Sequence, residues 1–137
     1  DNYYDAILID CSDPSEFANT LFSLKFYIEC KRIMKEDGIF ATQSESPEAF
    51  KSIHLKIYKS LNTVFQKVST MYSYVPFYPS GIWSWSFAKK NNDEVLKSRY
   101  HKINIIEKSC DVWNLNFQEG SLKMIPSKIL RELKDYK

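Results

Sequence analysis

The stretch Asp5-Ala6-Ile7-Leu8-Ile9-Asp10-Cys11-Ser12-Asp13-Pro14 decides how the chain is read. Four apolar residues that end abruptly in two carboxylates, Asp10 and Asp13, predict a strand buried on both faces of a parallel sheet. In open α/β sheets ligands sit just outside the carboxyl ends of the strands, so both carboxylates are expected at the mouth of a crevice. Asp13, beside Pro14, equally suits the cap of a following helix.

Downstream, Phe17, Leu21, Leu24 and Ile28 recur at helical spacing, with Phe22 and Phe26 widening the apolar face. This predicts a helix to about residue 35, with Lys31, Arg32 and Lys35 at its negative end and Gly38 in the turn after it. Residues 38–43 then form a second strand. A β-α-β unit makes the two strands parallel and brings Gln43 to the sheet edge that carries Asp10. Ser46-Pro47 opens another helix, with Phe50, Ile53, Ile57 and Leu61 as its buried stripe. His54 reads as a surface or boundary histidine, and neither it nor His101 is assigned a role.

Residues 64–75 are rich in β-branched and aromatic side chains. In residues 82–88, Trp83, Trp85 and Phe87 alternate with Ser84, Ser86 and Ala88, the period of a strand. These two runs, joined by Pro76-Phe77-Tyr78-Pro79-Ser80-Gly81, predict an antiparallel pair. Beyond Lys89 comes a turn, then residues 95–106 with no clean period, and a short final helix over 126–136.

At 137 residues the chain is at most one domain. No signal peptide or apolar span of membrane length is visible, which suits a soluble, cytoplasmic protein with no membrane partner. Cys11, Cys30 and Cys110 are odd in number and far apart, so neither a disulfide framework nor a metal site is expected. Charge is distributed unevenly: Asp1, Asp5, Asp10, Asp13 and Glu16 precede the first basic residue, Lys25. An acidic strand end on a chain of net charge +2 suits a cationic small molecule and repels nucleic acid.

Three separated motifs, Asp10-Cys11-Ser12-Asp13-Pro14, Thr42-Gln43-Ser44-Glu45-Ser46 and Pro76-Phe77-Tyr78-Pro79-Ser80-Gly81, resemble in order and spacing the C-terminal half of a spermidine synthase. The resemblance runs from about Tyr4 to Lys90. It implies an α/β fold, the C-terminal half of a Rossmann-like AdoMet-dependent transferase sheet in the order β-α-β-α-β-β with the last two strands antiparallel. Residues 1–90 would form that half and residues 91–137 an extension of the same domain ending in a helix. The N-terminal half is expected to be absent: Gly38, Gly81 and Gly120 are the only glycines, and none opens a helix after a strand as a nucleotide-binding turn must. The strand carrying Asp10 would then show an unpaired edge.

The implied reaction moves an aminopropyl group from decarboxylated S-adenosylmethionine, a co-substrate, to putrescine, giving spermidine and methylthioadenosine. No tightly bound cofactor and no metal are implied, and a homo-oligomer is; this fragment alone is expected to be inactive. Asp10 and Tyr78 are the candidate catalytic residues, the first as base and the second orienting the attacking nitrogen. Asp13, Gln43 and Trp83 are candidates for binding the diamine. Gln43 also reads as a plain strand-end residue, Tyr78 as a turn residue and Trp83 as a core aromatic.

Ala18 and Leu21 keep the places of the family's nucleoside-side loop, whereas Glu16 and Phe17 stand where it has Gly and Pro. Two other readings share the motifs: a putrescine N-methyltransferase, and a non-catalytic paralogue that partners an active subunit.

Overall fold

The computed structural model describes residues 1–12, 18–78, 80–91 and 100–134. Four strands form one open sheet: β1 (Tyr4–Ile9), β2 (Met34–Gln43), β3 (Val68–Tyr74) and β4 (Ile82–Lys89), in the spatial order β1-β2-β4-β3. β1 and β2 are parallel, and β4 runs antiparallel to both β2 and β3. Helices α1 (Leu24–Ile33) and α2 (Lys51–Val64) make the connections, and α3 (Tyr100–Glu107), α4 (Leu115–Lys123) and α5 (Ser127–Lys134) follow the sheet. The expected β-α-β-α-β-β order is therefore present. The two helices α3 and α4 are additions to it, because their apolar residues form no strong stripe.

Three expectations are corrected. The first helix starts at Leu24, not near Phe17: Ser23 caps it, its Oγ accepting the Phe26 N–H at 3.2 Å, and Ala18–Phe22 form a separate 3-10 turn. β2 begins at Met34, directly after α1, and Gly38 lies in an irregularity within it. Between the pairs Tyr4–Met34 and Ala6–Ile39 the register shifts, and a Cβ on Gly38 would stand 2.8 Å from the Lys35 carbonyl oxygen. Finally, β1 is not buried on both faces. Its outer face carries Leu8, which is 73% exposed, while its place at the sheet edge, paired only with β2, is the unpaired edge expected of it.

Register sorts the side chains onto two faces, because residues paired across strands share a face. The pairs Ile7–Phe40, Ile9–Thr42, Phe40–Ala88 and Thr42–Ser86 define an inner face beneath α1 and α2. There Tyr27, Met34, Phe40, Ile57, Leu61 and Phe65 form the apolar core, with Tyr27 and Phe40 edge to face at 5.6 Å and Phe40 and Phe65 stacked at 5.6 Å. A smaller cluster of Tyr58, Ile129 and Leu133 seats α5 on α2, and Lys51 and Glu132 bridge the same pair at 2.9 Å. The pairs Leu8–Ala41, Ala41–Phe87 and Gln43–Trp85 lie on the outer face. Asp10, one residue beyond the Ile9–Thr42 pair, stands level with Gln43 at the carboxyl end of both parallel strands.

Candidate active site

At that carboxyl end a cavity of about 210 Å³ is lined by Asp10, Cys11, Gln43, Val75, Tyr78, Trp83 and Trp85. Four of the expected site residues, Asp10, Gln43, Tyr78 and Trp83, thus share one space. Asp10 arrives from the end of β1, Gln43 from the end of β2, Trp83 from β4, and Tyr78 from the β3–β4 connection. Asp13 lies outside the described residues, as do Glu16 and Phe17. Ala18 and Leu21 belong to the 3-10 turn; half-buried Leu21 packs against the core and is not among the residues lining the cavity.

The β3–β4 connection holds Tyr78 through its backbone. Val75 N–H donates to the Gly81 carbonyl at 2.9 Å, Tyr78 N–H to Val75 O at 3.1 Å, and Gly81 N–H to Tyr78 O at 2.8 Å. Gly81 has φ +67°, and a Cβ there would stand 2.9 Å from the Tyr74 ring. Only glycine closes this turn without strain. The Tyr78 ring lies 4.3 Å from that of Trp83, centroid to centroid, and Phe50 meets Trp83 edge to face at 6.3 Å. Trp83 is buried and Tyr78 is 44% exposed, so the tyrosine forms the outer lip of an aromatic wall.

Glu45, in the second motif, had no expected role; it does not line the cavity but holds Gln43, which does. Glu45 is wholly buried, and Gln43 Nε2 donates to its Oε1 at 3.0 Å while its own N–H donates to Gln43 Oε1 at 3.0 Å. The arrangement requires φ +67° at Glu45, a left-handed conformation that costs a non-glycine residue about 1–3 kcal/mol. No strand alternation signals this pairing, because Glu45 lies beyond the end of β2 in a left-handed conformation. Trp85 was legible from its alternation with Trp83. Cys11 and Val75 carried no such signal.

His54 is corrected from a surface or boundary histidine to a fully buried one. Its Nδ1 lies 2.7 Å from the Ser44 carbonyl oxygen and its Nε2 lies 3.2 Å from the Tyr72 hydroxyl. Burial holds its pKa below the ordinary value, against a smaller opposing effect of the Ser44 hydrogen bond, so the ring is neutral. Nδ1–H then donates to Ser44 and the Tyr72 hydroxyl donates to Nε2. Cys30, inside the core, is pushed up to about 11 by burial, with Glu29 adding to the effect, and stays a thiol.

Electrostatically the site end is negative. Asp1 pairs with Arg32, and Lys35 Nζ meets Asp5 at 2.8 Å, so these two acids of the N-terminal segment are neutralised. Among the described residues no lysine or arginine pairs with Asp10. Its carboxylate therefore faces the cavity with its attraction for a cation undiminished by a neighbouring base. Among the described residues no group of His, Cys, Asp and Glu side chains is arranged to hold a metal ion, and no helix is long and apolar enough to cross a membrane.

The spermine/spermidine synthase domain matches residues 1–98. The chain belongs to the spermine/spermidine synthase family. Within that family it is 60% identical over 133 residues to the polyamine aminopropyltransferase of Prochlorococcus marinus strain MIT 9301, covering 97% of this chain and 47% of that protein. The polyamine aminopropyltransferase of strain SARG is 44% identical over the same number of residues. The chain thus spans about half the length of the curated relatives it matches.

Solved structures of the family agree with the fold. The crystal structure of spermidine synthase from Thermotoga maritima superposes with a TM-score of 0.84 at 29% identity, over 97% of this chain and 44% of that one. A spermidine synthase in complex with the transition state analogue AdoDATO gives 0.88 at 29% identity, over 97% and 45%. The open sheet described above is accordingly part of a Rossmann-like fold.

Proposed function

We propose that the chain supplies the amine side of an aminopropyltransferase active site, in a protein that transfers the aminopropyl group of decarboxylated S-adenosylmethionine to putrescine. The observation that carries this reading is the single cavity shared by Asp10, Gln43, Tyr78 and Trp83. The related spermidine synthase that binds AdoDATO supports it, as do the polyamine aminopropyltransferases among the relatives.

Putrescine is a diammonium at neutral pH. A primary amine of pKa about 10.4 exposes its lone pair in only about one molecule in two thousand, so freeing it costs about 4 to 5 kcal/mol. The site must attract the cation and then discharge one end of it. Asp10 serves both needs: as a carboxylate it draws the ammonium in, at about 4 kcal/mol for a pair 4 Å apart in a medium of effective dielectric about 20, and it accepts the ammonium's proton, freeing the lone pair before the nitrogen attacks. The Tyr78 hydroxyl orients that nitrogen, and the Tyr78–Trp83 wall disfavours the charged form while receiving the methylene chain.

The nitrogen attacks the carbon beside the sulfonium, and a C–N bond forms. The C–S bond breaks, its electron pair stays on sulfur, and neutral methylthioadenosine leaves. Gln43, held by Glu45 from behind, is assigned to binding the diamine, with Asp13 assigned to the distal ammonium. The adenosyl group of the donor is assigned to a glycine-rich turn outside these 137 residues, in a protein of the relatives' length.

Incubating the full-length protein with putrescine and either decarboxylated or ordinary S-adenosylmethionine distinguishes the outcomes. Methylthioadenosine from the decarboxylated donor is expected. S-adenosylhomocysteine from the ordinary donor would overturn the reading.

A further inference from the structure

The inner face of the sheet changes character toward the site. Phe40 and Ala88 belong to the apolar core, but the next residues on that face, Thr42, Ser44, Ser84, Ser86 and Thr70, are all hydroxyl-bearing, and the first four are buried. Tyr72 and His54 complete a polar layer directly behind the segment that carries Gln43 and Glu45.

Because each hydroxyl has one proton to give, the contacts resolve into two directed relays. In the first, Tyr72 donates to His54 Nε2 at 3.2 Å, and His54 Nδ1–H donates to the Ser44 carbonyl at 2.7 Å. In the second, Thr70 meets Ser86 at 3.0 Å, Ser86 donates to Ser44 Oγ at 2.9 Å, and Ser44 Oγ meets Ser84 Oγ at 2.9 Å. Ser84 then donates to the Glu45 carbonyl at 2.7 Å, and its Oγ also lies 3.0 Å from the Ser44 carbonyl oxygen and 3.1 Å from His54 Nδ1, which ties the second relay to the first. The relays end on consecutive carbonyls, those of Ser44 and Glu45, at the point where the backbone turns left-handed.

We propose that His54 and Ser84 are positioning residues for the diamine site, fixing from behind the backbone turn at Glu45, which in turn holds Gln43 at the cavity. They touch no substrate. Their effect is transmitted through two carbonyl oxygens, and a layer built this way is rigid because its hydroxyls and imidazole satisfy one another. An apolar layer would fill the same space but leave the Ser44 and Glu45 carbonyls without these donors and the left-handed turn free to relax.

This inference rests on the aminopropyl reading only for the identity of its substrate, and its test separates the two. In the full-length protein, His54→Leu and Ser84→Ala should each raise the KM for putrescine about tenfold, the worth of about one buried hydrogen bond, while the KM for decarboxylated S-adenosylmethionine stays within about twofold. His54→Asn, which returns an N–H near the position of Nδ1, should recover most of the loss. Variants with a lower melting temperature but both KM values unchanged would overturn the assignment, since that is the mark of a merely structural layer.

Absence of any transfer by the wild type would sink the aminopropyl reading instead. The positioning role is then read from amide hydrogen exchange. The Glu45 N–H should exchange about tenfold faster in His54→Leu while that of Phe40 in the core is unchanged, and equal acceleration at both would overturn it.

Discussion

The side chains of Gln43 and Glu45 grip each other twice, through Nε2–H to Oε1 and through the Glu45 N–H to Gln43 Oε1, each at 3.0 Å. Gln43 lines the cavity and Glu45 is buried, so the pair couples the surface that meets the substrate to a carboxylate held behind it. Glu45→Gln keeps the shape and one acceptor oxygen but replaces the other carboxyl oxygen with an amide nitrogen. The expected result is a rise of tenfold or more, roughly, in the KM for putrescine with kcat less affected, measured in steady-state assays of the full-length protein.

Gly81 closes the turn that carries Tyr78. With φ +67° and the Tyr74 ring 2.9 Å from where a Cβ would lie, Gly81→Ala is strained twice over. A loss of about 1–3 kcal/mol in unfolding free energy is expected from urea titration. Because the Tyr78 carbonyl accepts from Gly81 N–H, kcat should fall with it. Unchanged stability would mean that the turn adopts another form.

His54 links stability to pH. Its pKa is lowered in the folded chain by burial, so the unfolded chain takes up a proton that the folded chain resists. The contribution is fully present above the unfolded-state value of about 6.5 and is lost as pH falls below it, at up to about 1.4 kcal/mol per unit. Urea unfolding at pH 7.5 and 5.5 should therefore show a larger loss for the wild type than for His54→Asn. Equal losses would mean that the imidazole charges within the fold.

β1 is an edge strand, and Leu8 is 73% exposed on its outer face. An apolar strand with an open edge is a template for pairing. The 137-residue chain expressed by itself should associate as concentration rises, and Leu8→Glu should suppress this in light scattering. A wild-type chain that stays monomeric at high concentration would contradict the prediction.

Much of the site was legible because strand signals are local. The apolar run ending at Asp10, the β-α-β connection to Gln43, and the alternation of Trp83 with Ser84 each follow from a few neighbouring residues. His54 was not legible, although residues 54, 57, 58 and 61 share a helical stripe, because the groups that satisfy it come from β3 and from beyond β2. A buried polar side chain is visible only through partners distant in sequence. The start of α1 was misplaced for a different reason: Phe17 and Leu21 continue its apolar period, and only the Ser23 cap interrupts it. The open edge of β1 was legible from the glycine-rich turn that these residues lack, whereas the exposure of Leu8 on its outer face depends on what packs against that face, which the strand's own residues do not encode.

The central claim is that the carboxylate at the end of β1 takes a proton from the attacking amine while Tyr78 orients it. The most direct measurement is the turnover of Asp10→Asn in the full-length protein with saturating putrescine and decarboxylated S-adenosylmethionine, together with that of Tyr78→Phe. The account predicts a kcat lower by about 10² to 10⁴ for Asp10→Asn and a smaller loss for Tyr78→Phe. Wild-type turnover in Asp10→Asn would contradict it.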